Sequence, residues 1–458
     1  MKLRILNIIT CLFIVIFTAT SCLDSDEEIR EFNPNASIIS FSINNIETKY
    51  KATVNGKDTT LIATVYGSNY PFIIDQAQGL IYNVDSLPYG TNVSKVVVNI
   101  NADGYVFIAA ETDSIWEETD SLNFENPIQF KVMAYDGSFG RTYTSKVNVH
   151  KQDPEKMTWN KYQSNFSTEI QEQKAVFYKN QIFVFAKQEN QIAVTTAYAS
   201  NGNVWEPLQT IDIPEKADYS SVIVWGDFLY ILAENQLYQS DNGIHWTKVQ
   251  TEQKLNSLIA GIHSDTDKKL IGVTIDNLYT ESVDGSNWTS FAPIPSTFPT
   301  NSYYYATYPL KTNENINRIV VMGQNQLVAD TTNVIWSQLA SEHEWFPLTM
   351  EDNPNSCPNL RNASMIFYND QLYVFGGPGK NGGSAKAFDY FYSSKDNGIG
   401  WGKVIKGATF PEEFNNLYAQ SSGCYSCTID NENYLWIMWG KTGDVWRGRI
   451  NKLGFINQ

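Results

Sequence analysis

Histidine and cysteine are scarce in this chain, four of one and five of the other in 458 residues. Zinc and copper centres are built chiefly from imidazole and thiolate, so few donors are on hand for either metal. His245, His263 and His343 stand far apart in turn-like contexts and read as surface residues. Cys11 and Cys22 fall in an N-terminal segment, which leaves Cys357, Cys424 and Cys427. Cys424-Tyr-Ser-Cys427 has C-x-x-C spacing, but no βαβ pattern surrounds it and one pair cannot form a four-cysteine zinc site. Whether one disulfide forms is left open by the sequence. Basic residues are also in deficit: Lys and Arg total 33 against 49 Asp and Glu, for a formal net charge of −16. With no basic run to offset that balance, nucleic acid is excluded as a partner. No cofactor is expected.

Charged residues make up only 18% of the chain, so its polar surface rests on Asn, Gln, Ser and Thr. What is plentiful is apolar and aromatic material, 42% and 14%, ample for packed cores in a chain long enough for two domains. Apart from those cores there is one apolar run, Ile5 to Phe17, preceded by Lys2 and Arg4. That layout marks residues 1–21 as a secretory signal peptide, too short to be a convincing membrane span. Its end, Ala19-Thr20-Ser21-Cys22, resembles a bacterial lipobox, which implies lipidation of Cys22. The acids Asp24, Asp26, Glu27 and Glu28 lie within a tether over 22–36. They resemble the surface-export signal of Bacteroidota-type lipoproteins; a plain solvated spacer is the other reading. The resemblance implies an outer-membrane, cell-surface protein that touches the membrane through its lipid alone.

Residues 37–150 read as a β module. Ile128, Phe130 and Val132 alternate with Gln129 and Lys131, and Val147 and Val149 alternate after the Asp136-Gly137 turn. Period-two alternation on both sides of a turn predicts a sheet with one buried and one wet face. A second hairpin turn is expected at Asn55-Gly56. The passage ENPIQFKVMAYDGSFGRTYTSKVNV is similar to the last hairpin of Ig-like modules in surface lipoproteins, implying an Ig-like β-sandwich that serves as a spacer. A polar, Pro-containing stretch over 151–157 reads as the linker.

Over 158–458 the chain repeats itself. FYKNQIFVFA (177–186), WGDFLYILAE (225–234) and FYNDQLYVFGG (367–377) are variants of one hairpin, with looser copies at 268–274, 316–323 and 433–440. A polar turn leading to a tryptophan follows each of the first five: Trp205, Trp246, Trp288, Trp345 and Trp401, at intervals of roughly 41, 42, 57 and 56 residues. Such periods fit four-stranded propeller blades. The sixth hairpin leads only to Val445-Trp446-Arg447-Gly448-Arg449, whereas Met157-Thr158-Trp159-Asn160-Lys161 looks like the missing fourth strand. An all-β fold is therefore expected, a six-bladed propeller closed by a strand shared between its two ends. The hairpins, Tyr368 to Gly377 above all, resemble kelch repeats.

Ser394, Asp396, Gly398 and Trp401 have the spacing S-x-D-x-G-x-x-W, which resembles the Asp box of sialidases. Degraded copies recur at the same place in most repeats, so the motif reads as a turn. Sialidase chemistry needs three converging arginines, and residues 158–458 hold only Arg318, Arg361, Arg447 and Arg449. No catalytic residue is assigned. In kelch repeats the loop entering each innermost strand opens onto the central channel. That resemblance puts Asp218, Tyr219, Asn301, Tyr303, Arg361, Asn362 and Tyr425 at or near one entrance. Tyrosine and asparagine suit a glycan first and a protein ligand second. The reading is a binding module, with a sugar-active enzyme, such as a sialic-acid mutarotase, as the alternative.

Overall fold

The computed structural model describes residues 36–54, 57–263, 268–299, 301–324, 333–348 and 353–455. Cys22 and the acidic run behind it lie outside the described residues, as does the turn at Asn55-Gly56. The chain divides into two compact units between Lys151 and Gln152.

The first unit is a β domain. Ile38–Ile43, Val96–Ala102 and Ser121–Leu122 form one sheet, and six strands between Phe72 and Lys146 form another. In the larger sheet Ile128–Met133 pairs antiparallel with Phe139–Lys146, placing Phe130 opposite Tyr143. Phe130, Val132 and Tyr143 are buried with Ile38, Phe41 and Val98 in one core. The Asp136-Gly137 turn forms through its side chain: the backbone N–H of Ser138 donates to Asp136 Oδ1 at 2.8 Å, and Gly137 takes the positive φ of 87°. The return strand ends at Lys146. Buried Val147 and partly buried Val149 continue beyond it, their neighbour Asn148 donating its backbone N–H to Asn83 Oδ1.

The second unit holds six four-stranded antiparallel sheets among the described residues. The hairpins that join first to second strands follow from local chemistry. Lys179-Asn180 and Asn369-Asp370 have positive φ at both central positions, the two-residue turn whose twist matches the flanking strands. Each turn sets its register, Tyr178 against Gln181 and Tyr368 against Gln371. Past the turn, Ile182 to Ala186 are buried without alternation, because a blade packs on both of its faces.

The tryptophan turns share one bonding pattern. Ser394 Oγ accepts the N–H of Gly398 and donates to Asp396, which in turn accepts the N–H of Gly400. The indole N–H of Trp401 donates to the carbonyl of Gly398 at 2.9 Å. Trp205, Trp246 and Trp288 make the same bond to Gly202, Gly243 and Gly285. The N–H groups of Asn287 and Ser286 and the Asn287 amide hold the Asp284 carboxyl down at about 2. Trp345 is the exception. Glu342 stands where the others have glycine, and among the described residues its buried indole nitrogen has no partner.

Each core of this unit joins two consecutive sheets. Phe185 and Val194 pack with Val222, Ile231 and Trp246, and Val320 and Ile335 pack with Leu372, Val374 and Trp401. Another joins the last hairpin to the first, with Trp436, Met438 and Val445 against Ile182, Val184 and Trp205. Met157–Lys161 is the outer strand of the last sheet and pairs with Val445–Ile450, Trp159 opposite Gly448. A Cβ at Gly448 would come within 2.5 Å of the Trp159 ring, so glycine lets the indole lie on the strand.

An α-helix, Glu413–Gln420, interrupts the β pattern. Pro411 stands just before its N-cap Glu412, Glu413 suits its first turn, and Phe414 and Leu417 form its buried side. Ser422 and Gly423 carry positive φ where the chain leaves the helix for the innermost strand Tyr425–Ile429. Cys357, Cys424 and Cys427 are free thiols. Burial pushes Cys424 and Cys427 up to about 11 and Cys357 up to about 12, far from the reactive thiolate range.

Candidate functional site

The innermost strands Gln173–Tyr178, Ala217–Trp225, Asn301–Leu310, Ser364–Tyr368 and Tyr425–Ile429 surround two cavities. The first, of about 300 Å³, lies where these strands begin and is lined by Glu172, Lys174, Tyr219, Tyr304, Asn362 and Tyr425, among others. The second, of about 480 Å³, continues between the strands past Val222, Ala306, Met365 and Thr428. Gln173, Lys174 and Tyr304 border both, so they form the neck between mouth and channel.

Hydrogen bonds fix the mouth. Tyr425 donates its hydroxyl to the carbonyl of Asn362 at 2.6 Å and lies 2.9 Å from Ser364 Oγ. The Asn362 amide donates to the carbonyl of Gly423 at 3.0 Å. Across the opening, Tyr219 donates to Glu172 Oε2 at 3.0 Å. Burial pushes Tyr304 up to about 12 and raises Tyr219 and Tyr425 further, so all three are neutral hydrogen-bonding groups at physiological pH. Lys174 is different. Its ammonium donates to the carbonyl of Ser220, and burial pulls it down to about 8, with Asp218 partly opposing.

Three of the residues expected at the entrance, Tyr219, Asn362 and Tyr425, line the mouth cavity. Asp218 is exposed beside it and caps its own loop, accepting from the N–H and hydroxyl of Ser220. Arg361 is exposed outside the lining residues; its backbone bonds Gly377 and Pro378, and its charge adds to the burial that lowers the nearby Lys380. Asn301 and Tyr303 belong to the innermost strand of their sheet, but their side chains lie outside the described residues. The next residue, Tyr304, takes the place at the neck. Arg447 and Arg449 are spent on structure: Arg447 stacks 4.0 Å from the Tyr434 ring and Arg449 donates to the carbonyl of Glu432.

Sequence reasoning missed Glu172, Lys174 and Ser364, whereas Tyr304 lies within the stretch 301–305 expected at the entrance. The signal for the first two was present, since Gln171-Glu172-Gln173-Lys174 enters the first innermost strand as Asp218-Tyr219 enters the second. Aligning the entry loops without passing over the first hairpin would have named them.

An N-terminal β domain followed by a propeller of several four-stranded blades is the class that this fold defines. The chain belongs to the DUF6242 family. The DUF6242 beta propeller domain matches residues 153–458, and the domain of unknown function (DUF6242) N-terminal domain matches residues 41–147. No curated protein matches it. Among solved structures it is similar to a DUF4623 family protein from Bacteroides eggerthii, at 10% identity over 90% of this chain and 98% of that one, with a TM-score of 0.34. A catalytically inactive virginiamycin B lyase from Staphylococcus aureus is similar at 9% identity over 76% of this chain and 95% of that one, TM-score 0.35. AofleA from Arthrobotrys oligospora shares 14% identity over 62% of this chain and 84% of its own, TM-score 0.36.

Proposed function

We propose that this is a lipid-anchored binding protein of the outer-membrane cell surface, with a glycan or protein ligand seated in the propeller's channel mouth. The six sheets are read as kelch-type blades closed into a ring by Met157–Lys161, and the N-terminal domain as an Ig-like stalk. One observation carries the binding reading: Tyr219, Tyr304 and Tyr425 from three separate sheets, and Asn362 from the loop that enters a fourth, come to one small cavity. Groups held by rigid strands lose little freedom when a ligand arrives, and neutral hydroxyls and amides beside aromatic faces suit a sugar or a peptide. A glycan and peptide array probed with the mature chain would find the ligand. Tyr219→Phe should then weaken binding by roughly 1–3 kcal/mol and leave the melting temperature nearly unchanged, whereas Asn362→Ala, at a φ of 46° and without its bond to Gly423, should weaken binding and also lower the melting temperature. Variants that melt early yet bind normally would mean that these residues only cap the channel. A sugar-active enzyme is the second reading, favoured by the ionisable Glu172 and Lys174 at the mouth; turnover of a sugar that is lost in Lys174→Met would establish it.

The address has its own test. Cys22→Ala should release the protein from membranes, because multiple acyl chains on that residue would be its anchor. Replacing Asp24, Asp26, Glu27 and Glu28 by alanine should leave the protein lipidated but shielded from protease on whole cells. Continued shaving of the replaced form from intact cells would rule out the export signal.

A further inference from the structure

We propose that the mouth cavity takes an acidic sugar, a uronic acid or similar unit carrying a single carboxylate, with that carboxylate seated on Lys174. The inference rests on reading the mouth as a glycan site. Lys174 borders both cavities, at the neck where a ligand entering the mouth would stop. Desolvated ammonium groups in proteins are ordinarily paired with full negative charges. Here the partner is a backbone carbonyl, that of Ser220, which carries only a partial charge.

The two nearby carboxylates are committed elsewhere. Glu172 accepts from Tyr219 and lies 3.4 Å from the ammonium of Lys187. Asp218 accepts from its own loop at Ser220, at 2.9 and 2.7 Å. A ligand carboxylate would give Lys174 the charge-assisted bond that these acids do not. The acids in turn select against a phosphate monoester, whose greater charge they would repel more strongly. Tyr219, Tyr304 and Asn362 offer hydroxyls and an amide to the sugar's own hydroxyls, and about 300 Å³ is the size of one or two sugar rings.

The pH dependence belongs to Lys174. Facing it or close to it are Glu172, Asp218, Tyr219, Tyr304, Tyr305, Tyr425, Cys424 and Cys427. Burial holds the tyrosines and both thiols above the range in which Lys174 titrates. An adjacent carboxylate favours the charged amine and so raises its pKa. Affinity is therefore complete below about pH 8 and falls as pH rises through that value, and binding near pH 8 takes up a proton.

The test is calorimetry of the mature chain with glucuronate and galacturonate against their neutral parents, glucose and galactose, at pH 6.5 and pH 9.5. The acids should bind on the order of tenfold more tightly than the neutral sugars at the lower pH. That preference should shrink at the higher pH, vanish in Lys174→Gln and survive in Lys174→Arg. Thermal melting of each variant identifies any that is misfolded, and Lys174→Met then serves as the second neutral replacement. Neutral and acidic sugars binding alike, with Lys174→Gln indifferent, would overturn the acidic ligand but leave the glycan mouth standing. Failure of all four sugars, or tighter binding of a peptide C-terminal carboxylate, would overturn both.

Discussion

Truncating Trp401 to alanine should cost about 3–5 kcal/mol of the second unit's stability, among the largest effects of any single side chain outside the channel. The indole is 6% exposed and packs among Val320, Ile335, Leu372 and Val374, so its removal leaves a cavity between two sheets. It also strips the Gly398 carbonyl of its donor in a turn where Gly398 sits at a φ of 101°. Trp205 and Trp246 occupy the same position and should behave alike. Trp288 is only half-buried and should cost less. Asp396→Ala tests the other reading of the motif, that it is catalytic. Among the described residues Asp396 accepts bonds from Ser394 and Gly400 of its own turn, so its loss should cost about 1 kcal/mol and no ligand binding. Urea unfolding of the series, followed by tryptophan fluorescence in the retained indoles, measures all of these. Equal midpoints for Trp401→Ala and the unsubstituted chain would show that the turn, not the wedge, carries the stability.

Such turns were legible because their cause is local. Serine, aspartate, glycine and tryptophan bond to one another within eight residues, and Lys179-Asn180 or Asn369-Asp370 decide a hairpin without help from the rest of the chain. Contacts between distant segments left less trace. Thr144 pairs in parallel with Leu80 in the first unit, and neither residue's neighbourhood announces it. The helix Glu413–Gln420 had a readable signature in Pro411, Glu413 and the spacing of Phe414, Leu417 and Tyr418. A surrounding chain of strands hid it. The mouth was half legible. Tyr219, Asn362 and Tyr425 are polar residues at or just before the starts of innermost strands, where a site belongs, whereas Lys174 looks from sequence like any charge at the start of a strand. Only its bond to the Ser220 carbonyl from a half-buried position makes it unusual, and that bond depends on the second sheet standing beside the first.

A chain that begins at residue 165 should aggregate, and one that begins at residue 152 should stay monomeric. Met157–Lys161 contributes five paired positions to Val445–Ile450, from Met157 opposite Ile450 to Lys161 opposite Trp446. Without it, that strand presents a row of unpaired N–H and C=O groups, the template on which another chain pairs. The loss is not confined to the backbone. Met157 is buried with Trp446 and Ile450. Trp159 donates its indole N–H to the carbonyl of Thr409 at 2.8 Å and meets the Phe414 ring edge-on at 5.0 Å. Thr158 bonds Asn451, whose amide reaches back to the carbonyl of Asp153, so the start of the unit is tied to its end twice over. Light scattering of the two fragments measures the outcome, and hydrogen exchange at Val445–Ile450 locates it. Because the missing piece is a single strand, a peptide of residues 152–164 added in trans should restore both solubility and protection. A Trp159→Ala peptide should do so poorly, since the Gly448 surface would have nothing to receive. Equal solubility of the two fragments, or rescue that ignores Trp159, would mean that the last sheet stands without its N-terminal strand and is held to the first sheet by the hydrophobic contacts among Trp436, Ile182 and Trp205 alone.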